Sequence, residues 1–173
     1  MIYYNNGEIL IRDLQPSDVQ VFTIEEIAQG WDSHAEKFEM RLRHQAEGTA
    51  ITMAAEYRGH AAGYINVYPN SKWGAFANQY PEIVDFAVLE KYRKNGIGSR
   101  LMDTAEQIAS KYSEVVYLGV GLHSGYGSAQ RMYVKRGYIP DGSGVWYRDK
   151  VCEPYTDCKN DDDLVLYFSK KLR

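Results

Sequence analysis

The feature that most constrains this chain is the joint between an apolar run and an amphipathic run near its centre. Residues 82–89, EIVDFAVL, form a short and almost wholly apolar stretch, which is typical of a strand buried on both faces. From residue 97 the apolar residues follow helical spacing as far as about residue 111. The stretch across the joint, YRKNGIGSRLM, contains three basic residues and two glycines. This order predicts a buried strand that passes through a glycine-rich turn into a helix.

Strand-like and helix-like segments alternate along the rest of the chain. Helices are predicted at 16–28, 33–46 and 126–137, the second of them capped by Asp32 or Ser33. Further strands are predicted at 8–14, on both sides of a hairpin turn at Arg58-Gly59-His60, at 114–122, around GVWYRDKV and at 163–172. The sequence therefore predicts the α/β class, with a mixed central sheet of about six or seven strands and helices on both faces. No repeat or linker divides it, so we expect a single domain over residues 1–173.

Composition narrows the classes of partner. The chain has 173 residues, 45% of them hydrophobic, and a net charge of −3. Such a charge provides no general basic field, so neither nucleic acid nor an anionic membrane is expected as a partner. The N-terminus lacks the pattern of a signal peptide and no apolar run approaches the ~18 residues of a membrane span, which predicts a cytoplasmic protein. Cys152 and Cys158 are expected to be free thiols.

The glycine joint has the chemistry of an anion site. A helix N-terminus offers unpaired backbone N–H groups and partial positive charge, and Gly96 and Gly98 remove the side chains that would keep a phosphate away. Nearby basic residues would add countercharge. The alternative is a tight structural turn with solvated basic residues. Two other phosphate motifs are disfavoured, because Leu101 stands where a dinucleotide fingerprint has its third glycine and the Walker lysine-hydroxyl pair is missing.

Two motifs in this region resemble those of a known enzyme family. Arg93-Lys94-Asn95-Gly96-Ile97-Gly98 is similar to the R/Q-x-x-G-x-G/A signature of the GNAT superfamily of acetyltransferases. Downstream, SAQRMYVKRGYIP (residues 128–140) resembles the A-x-x-x-Y-x-K-x-G-F segment of the same superfamily. One predicted strand separates the two motifs, and they occur in the family's order. The resemblance extends to the element order of nearly the whole chain.

The resemblance implies acetyl-CoA as the acetyl donor, with no metal. In such proteins the glycine loop binds the pyrophosphate through backbone amides and the preceding strand lines the pantetheine arm, where one amide also polarises the thioester carbonyl. Here the implied cofactor-binding residues are Phe86, Ala87, Val88, Arg93, Lys94, Asn95, Gly96, Ile97, Gly98 and Ser99. One position departs from the family pattern, because Tyr126 stands where an asparagine often contacts the cofactor.

Glu82 and Tyr133 are the candidate catalytic residues. Acetyl transfer to an amine needs a base for the amine proton and a donor for the departing thiolate. Glu82 corresponds to the base of histone-type members of the superfamily, and Tyr133 to the tyrosine that protonates the thiolate in many of them. Strand alternation predicts that Glu82 shares a face with Val84 and Phe86, and that Asp85 faces the other way in a structural role. The alternatives are a solvated Glu82 and a tyrosine that only packs in the core.

The acceptor is the least determined part of the prediction. The four histidines lack metal-ligand spacing and are expected at the surface, with His123 and Ser124 as reserve candidates. In the fold that the resemblance implies, the first two helices and a late loop form the walls of the acceptor site, and here they include Trp31, Tyr68, Trp146 and Tyr147. The acidic loop at residues 157–163 either attracts a cationic amine or is simply solvated. The expected acceptor is the primary amine of a small molecule, and the protein a monomer or homodimer. A protein or peptide amine, a non-catalytic acyl-CoA sensor and a nucleotide-binding module remain alternatives.

Overall fold

The computed structural model of the chain describes residues 1–172 and contains four α-helices and nine strands in that range. The helices are α1 (Pro16–Ala28), α2 (Ala35–Ala46), α3 (Ile97–Ala109) and α4 (Gly127–Lys135). The strands are β1 (Ile2–Asn5), β2 (Ile9–Asp13), β3 (Ile51–Tyr57), β4 (His60–Tyr68), β5 (Glu82–Val88), β6 (Val115–Gly121), β7 (Ile139–Tyr147), β8 (Lys150–Val151) and β9 (Leu164–Lys171).

The mixed α/β class predicted from the sequence is confirmed, but the chain has more strands than the six or seven expected. Residues 2–5 add β1, which pairs antiparallel with β2. The segment around GVWYRDKV supplies the end of β7 and the short β8, and these two strands pair antiparallel with each other. None of the four helices has both the length and the apolar character that crossing a bilayer requires.

The chain divides into two compact units. The first unit comprises residues 1–69 and 83–108, and the second comprises residues 70–82 and 109–172. In the first unit, β1 to β4 form an antiparallel ladder in which neighbouring strands are also neighbours in sequence. Arg58 (φ 50°) and Gly59 (φ 82°) join β3 to β4 with the two left-handed residues that a type I′ hairpin needs, as predicted.

Helices α1 and α2 cover an aromatic core in the first unit. Phe22 of α1 and Phe38 of α2 stack with ring centroids 5.6 Å apart, and Tyr64 of β4 meets each ring edge-on at 5.2 Å. Both phenylalanines are almost fully buried, so each contributes roughly 1.5–3 kcal/mol of burial free energy to this interface. The core fixes both helices against the ladder.

The predicted cap of α2 is wrong. The N-cap residue is His34, not Asp32 or Ser33, and its side chain makes no capping hydrogen bond. Ser33 instead donates its hydroxyl proton to Oε2 of Glu26, at 2.5 Å. Glu26 lies on α1 and is only 1% exposed, so its carboxylate needs buried donors, and this requirement outweighs capping.

The second unit is built on antiparallel pairing of β6 with β9 and of β9 with β7. One parallel pair makes the sheet mixed, because Glu82 at the start of β5 pairs with Tyr117 of β6. Gly119 and Gly121 of β6 are the positions where rings approach the strand. A Cβ at Gly119 would lie 3.1 Å from Cε1 of Tyr167, and one at Gly121 would collide with the ring of Tyr126.

Candidate functional site

The glycine joint in the first unit forms an exposed loop that leads directly into α3. Lys94 (φ 66°) and Gly96 (φ 78°) both have left-handed backbones, and a Cβ built on Gly96 would have no heavy atom within 4 Å. Ile97, the first residue of α3, is buried and anchors the helix end. The first N–H groups of α3 have no intrahelical acceptors, as at any helix start. The loop therefore presents backbone donors and positive charge to solvent, which suits an anionic ligand.

Side chains around the loop hold its shape. The amide of Asn95 donates to the carbonyl oxygens of Tyr92 (3.0 Å) and Arg93 (3.3 Å), which ties this side chain to the main chain of the turn. The guanidinium of Arg93 lies 5.7 Å from the ring centroid of Trp31. Lys94 makes no ion pair with any residue that the structure describes. Its charge is therefore not offset by a neighbouring carboxylate.

The first turn of α3 packs directly on β5. A Cβ on Gly98 would lie 3.2 Å from Cζ of Phe86 and 3.5 Å from Cγ2 of Val88, so these two side chains turn toward α3. Ala87, between them, packs against the core of α1 and α2. Gly63 of β4 allows β5 to come close, because a Cβ there would stand 2.5 Å from the carbonyl oxygen of Ala87. The predicted cofactor strand is thus in direct contact with the first turn of the helix that follows the loop.

Regular alternation does not extend through β5, because Asp85 interrupts it. Asp85 has a φ of 51°, in the left-handed region that residues other than glycine occupy at a cost of about 1–2 kcal/mol. Its carboxylate accepts a hydrogen bond from Nε of Arg41 at 3.3 Å and lies 3.9 Å from Nζ of Lys37. Alternation cannot assign faces across such a residue. The ion pair with Arg41 agrees with a structural role for this carboxylate.

The first unit also contains a buried polar network, formed by Glu26, Lys37 and Tyr64, that the sequence did not predict. Nζ of Lys37 contacts both carboxylate oxygens of buried Glu26, at 3.0 and 3.3 Å, and donates to the hydroxyl of Tyr64 at 2.8 Å. Burial, followed by the charges of Asp85 and Glu26, raises the pKa of Tyr64 well above its usual value. This network links α1, α2 and β4 through charge as well as packing.

Tyr68, expected in the wall of an acceptor site, is buried and held by α2. Nη1 of Arg41 donates to its hydroxyl at 2.5 Å, and Nδ1 of His44 lies 2.6 Å from the same oxygen. Arg41 therefore bridges Tyr68 and Asp85. The periodicity of the sequence predicted that Arg41 and His44 lie on a helix, but it did not predict that both contact the hydroxyl of Tyr68.

In the second unit, Glu82 is 5% exposed and its carboxylate faces two hydroxyl groups. The hydroxyl of Ser71 donates to Oε2 of Glu82, and the hydroxyl of Tyr117 lies 3.3 Å from the same oxygen. Tyr117 also donates to the carbonyl of Trp73 at 2.6 Å. Burial, and next the charge of Glu82, raise the pKa of Tyr117 above its ordinary value. Glu82 is thus a buried, oriented carboxylate, and the solvated alternative is wrong.

Tyr133 lies on α4 and is 6% exposed. Its ring meets that of Tyr138 edge-on, with centroids 5.8 Å apart. Burial raises the pKa of Tyr133, so its phenol stays protonated throughout the physiological range. Its hydroxyl has no hydrogen-bond partner among residues 1–172. A neutral phenol whose proton is not committed to the protein is a suitable proton donor.

Both ring nitrogens of the reserve candidate His123 have hydrogen-bond partners within the second unit. Its Nδ1 accepts from the backbone N–H of Gly125 at 3.1 Å, and its Nε2 lies 2.9 Å from Oδ1 of Asp162. Tyr126, at the position where the family often has asparagine, donates to the same Asp162 oxygen at 2.9 Å. Hydrogen bonds from these two side chains lower the pKa of Asp162. Both nitrogens of His123 are therefore occupied.

Two further carboxylates of the acidic loop are also paired within the second unit. Asp161 lies 3.3 Å from Nζ of Lys159, and Asp163 accepts from Nε of Arg148 at 3.0 Å. Tyr147 donates to Asp161 at 3.2 Å, and Trp146 packs edge-on against Tyr167 at 5.3 Å. These carboxylates have counterions already, which favours the solvated-loop interpretation. Cys152 and Cys158 are free thiols, as predicted.

Comparisons with known proteins show a family relationship. The model of the acetyltransferase (GNAT) family matches residues 12–138, which include the first motif and residues 128–138 of the second segment. A curated N-alpha-acetyltransferase of Sulfurisphaera tokodaii is 34% identical over 107 residues, which are 56% of this chain. The match spans 61% of that relative's length.

Solved structures show the same fold at low sequence identity. The yncA protein of Salmonella typhimurium, determined with its cofactor acetyl-CoA, has a TM-score of 0.67 and 14% identity over 96% of this chain and 95% of its own. An acetyltransferase that modifies the N-terminal serine of ribosomal protein L7/L12 from Salmonella typhimurium has a TM-score of 0.70 and 11% identity, with 99% of both chains covered. Since the family model covers well over half of the sequence, this protein belongs to the acetyltransferase (GNAT) family.

Proposed function

We propose that this protein transfers an acetyl group from acetyl-CoA to a primary amine, by direct attack of the amine in a ternary complex. The observation that carries the proposal is the match of the family model to the segment that contains the glycine loop, β5 and α4. The exposed loop supports it, because its backbone donors and uncompensated lysine suit a pyrophosphate. A non-catalytic acyl-CoA sensor would need the same loop but neither Glu82 nor Tyr133.

In the proposed reaction the loop from Arg93 to Ser99 binds the pyrophosphate of CoA through backbone N–H groups. Phe86, Ala87 and Val88 offer backbone groups to the pantetheine arm. The open space around Gly96 supports this assignment, because a ligand can approach the main chain there without meeting a side chain. Arg93 and Lys94 supply countercharge.

Glu82 is proposed to take the proton from the acceptor amine, directly or through one water. Alkylamines of the lysine type titrate near ~10.4, so only about one in a thousand is neutral at pH 7.4 without help. Burial of Glu82 supports the assignment, because its carboxylate is held by protein groups and is not surrounded by bulk water. Contacts of Oε2 with Ser71 and Tyr117 limit the rotation of the carboxylate.

Tyr133 is proposed to protonate the thiolate of CoA as the C–S bond breaks. The attacking nitrogen forms the new C–N bond, the sulfur leaves with the electron pair of the C–S bond, and the phenol supplies a proton to the sulfur. The state of the Tyr133 hydroxyl supports this role, because it is protonated before the reaction and donates to no group among residues 1–172.

The acceptor is proposed to be a small-molecule primary amine, with the α-amine of a protein N-terminus as the second candidate. The second candidate is favoured by the name of the curated relative, an N-alpha-acetyltransferase. The two classes differ in acidity, since α-amines titrate near ~7.7–8.0. About a quarter of such amines are neutral at pH 7.4, so an α-amine acceptor depends much less on the base.

A panel of acceptors tests the proposal. CoA release from acetyl-CoA is measured with polyamines, amino acids, aminoglycosides and short peptides with free N-termini, and the acetylated product is identified by mass spectrometry. Turnover with small amines and none with peptides supports the first candidate, and the reverse supports the second. Binding of CoA by calorimetry without turnover on any acceptor would refute the enzyme and favour the sensor. Absence of CoA binding would refute both.

A further inference from the structure

Asn66 of β4 occupies an unusual position beside the irregular part of β5. It is fully buried, and its Nδ2 donates to the carbonyl oxygens of two consecutive residues, Val84 at 3.2 Å and Asp85 at 3.1 Å. Two carbonyl acceptors require a donor, so the nitrogen of the amide must face β5. Its Oδ1 is buried and has no hydrogen-bond partner among residues 1–172. A buried acceptor without a partner costs stability, so packing alone does not explain an asparagine here.

The carbonyl oxygens of Val84 and Asp85 both reach the amide of Asn66 because the backbone of Asp85, which joins the two peptide planes, is left-handed. In an extended strand consecutive carbonyls point to opposite sides. At Asp85 the φ of 51° rotates one peptide plane relative to the next, and both oxygens turn to Asn66. In a trans peptide the N–H points opposite to the C=O of the same peptide unit. The N–H groups of Asp85 and Phe86 therefore both point away from Asn66, side by side.

We infer that Asn66 is a positioning residue for acetyl transfer. This inference rests on the proposed function, in which the backbone of β5 contacts the thioester. When the amine attacks the carbonyl carbon, negative charge develops on the acetyl oxygen before the C–S bond breaks. Two parallel N–H groups fixed in advance stabilise that charge. Asn66 itself does not touch the acetyl group; it holds the two carbonyls whose orientation sets the two donors.

The matched control for Asn66 is its cross-strand neighbour. Thr52 of β3 is paired with Asn66 in the β3–β4 register and is also buried, with an Oγ1 that has no partner among the described residues. Thr52→Val changes a buried polar group in the same pair of positions but leaves the amide in place. Asn66→Leu keeps roughly the volume of the side chain and removes the donor. Asn66→Ser retains one shorter donor.

The test is the infrared band of the thioester carbonyl in [1-¹³C]acetyl-CoA bound to each protein. Hydrogen bonds to the carbonyl oxygen lower its stretching frequency, so wild type and Thr52→Val are expected to shift the band below that of free acetyl-CoA. Asn66→Leu is expected to return the band to the free position, with little change in CoA affinity. With an active acceptor, its kcat is expected to fall about 100-fold or more, while KM for acetyl-CoA changes less than about threefold.

The possible results distinguish a failure of the role inferred for Asn66 from a failure of the proposed function. A wild-type band shift in Asn66→Leu overturns the inference, as does the absence of any shift in wild type that binds acetyl-CoA; the proposed activity survives both. Failure of wild type to bind CoA removes the proposed function itself. If Asn66→Leu does not fold, Asn66→Ser decides, because one hydroxyl can hold only one of the two carbonyls. Loss of part or all of the shift supports the inference, and a full shift overturns it.

Discussion

Replacement of Tyr133 by phenylalanine separates its proposed catalytic role from packing. The substitution removes one hydroxyl that has no hydrogen-bond partner among residues 1–172, and it keeps the ring that packs on Tyr138. No protein hydrogen bond is lost, so the free energy of unfolding is expected to change by less than about 1 kcal/mol. For a chain of this size that corresponds to less than about 4 °C in Tm.

The effect of Tyr133→Phe on catalysis is expected to be far larger. A general acid contributes about 10²–10⁴-fold to rate, equivalent to about 2.7–5.5 kcal/mol of activation free energy. The assay measures kcat with an active acceptor, CoA affinity by calorimetry and Tm by calorimetric melting, beside Tyr138→Phe as the matched control. Because burial raises the pKa of Tyr133, wild type is expected to lose no activity through ionisation of this phenol up to at least pH 9. An unchanged kcat in Tyr133→Phe refutes the role, and an equal loss in Tyr138→Phe refutes its specificity.

Three further predictions concern the loop, the base and the buried network. Gly96→Leu and Gly59→Leu replace glycines with similar φ angles (78° and 82°) and open space around the Cβ, so both are expected to lose about 1–2 kcal/mol in denaturant titrations. Only the first is expected to weaken CoA binding in calorimetry, and equal affinity in the two variants would exclude the loop as the phosphate site. Glu82→Gln is expected to lower kcat about 100-fold or more with an alkylamine acceptor at neutral pH. The loss is expected to shrink as pH rises toward the pKa of the amine, because more of the amine is then already neutral. A loss of kcat that does not change with pH would argue against Glu82 as a base. Lys37→Met removes the cation from a carboxylate that is 1% exposed and is expected to cost about 3 kcal/mol of unfolding free energy. Lys91→Met, at an exposed pair, is expected to leave the unfolding free energy almost unchanged. Similar losses in the two lysine variants would contradict the importance of burial.

Periodicity identified most of the elements because their apolar faces repeat. Helix α1 has the bounds predicted from the sequence, and the β3–β4 hairpin follows from a turn whose chemistry is local. Strand β1 was missed because its four residues, IYYN, are an exposed edge with little apolar contrast. The cap of α2 was mispredicted because Ser33 does not cap this helix but donates its hydroxyl proton to the buried carboxylate of Glu26, on another helix. The capping preference of a serine depends on its neighbours in sequence and does not predict a hydrogen bond to a residue on another helix.

Sequence motifs located the loop but not the groups that shape the candidate site. The apolar run EIVDFAV has the pattern of a regular strand, and only the carboxylate in its middle hinted at the irregularity at Asp85. Asn66 stands in another strand, YINVY, where a single polar residue is as compatible with a solvated face as with a buried donor. Ser71 and Tyr117 reach Glu82 from 11 and 35 residues away. Contacts at such separations depend on the folded register and leave no local pattern.

The segment between β4 and β5 has little regular structure, yet its main chain is fixed at several points. The carbonyl of Trp73 accepts from Tyr117, the N–H of Gly74 donates to Asp149 at 2.6 Å, and Gly74 has no room for a Cβ because Tyr167 would be 2.6 Å away. The indole of Trp73 nevertheless remains 51% exposed. An exposed fluorophore on a fixed backbone, two residues from a hydroxyl that contacts Glu82, is a built-in optical probe. Its emission can report events at that carboxylate without any label.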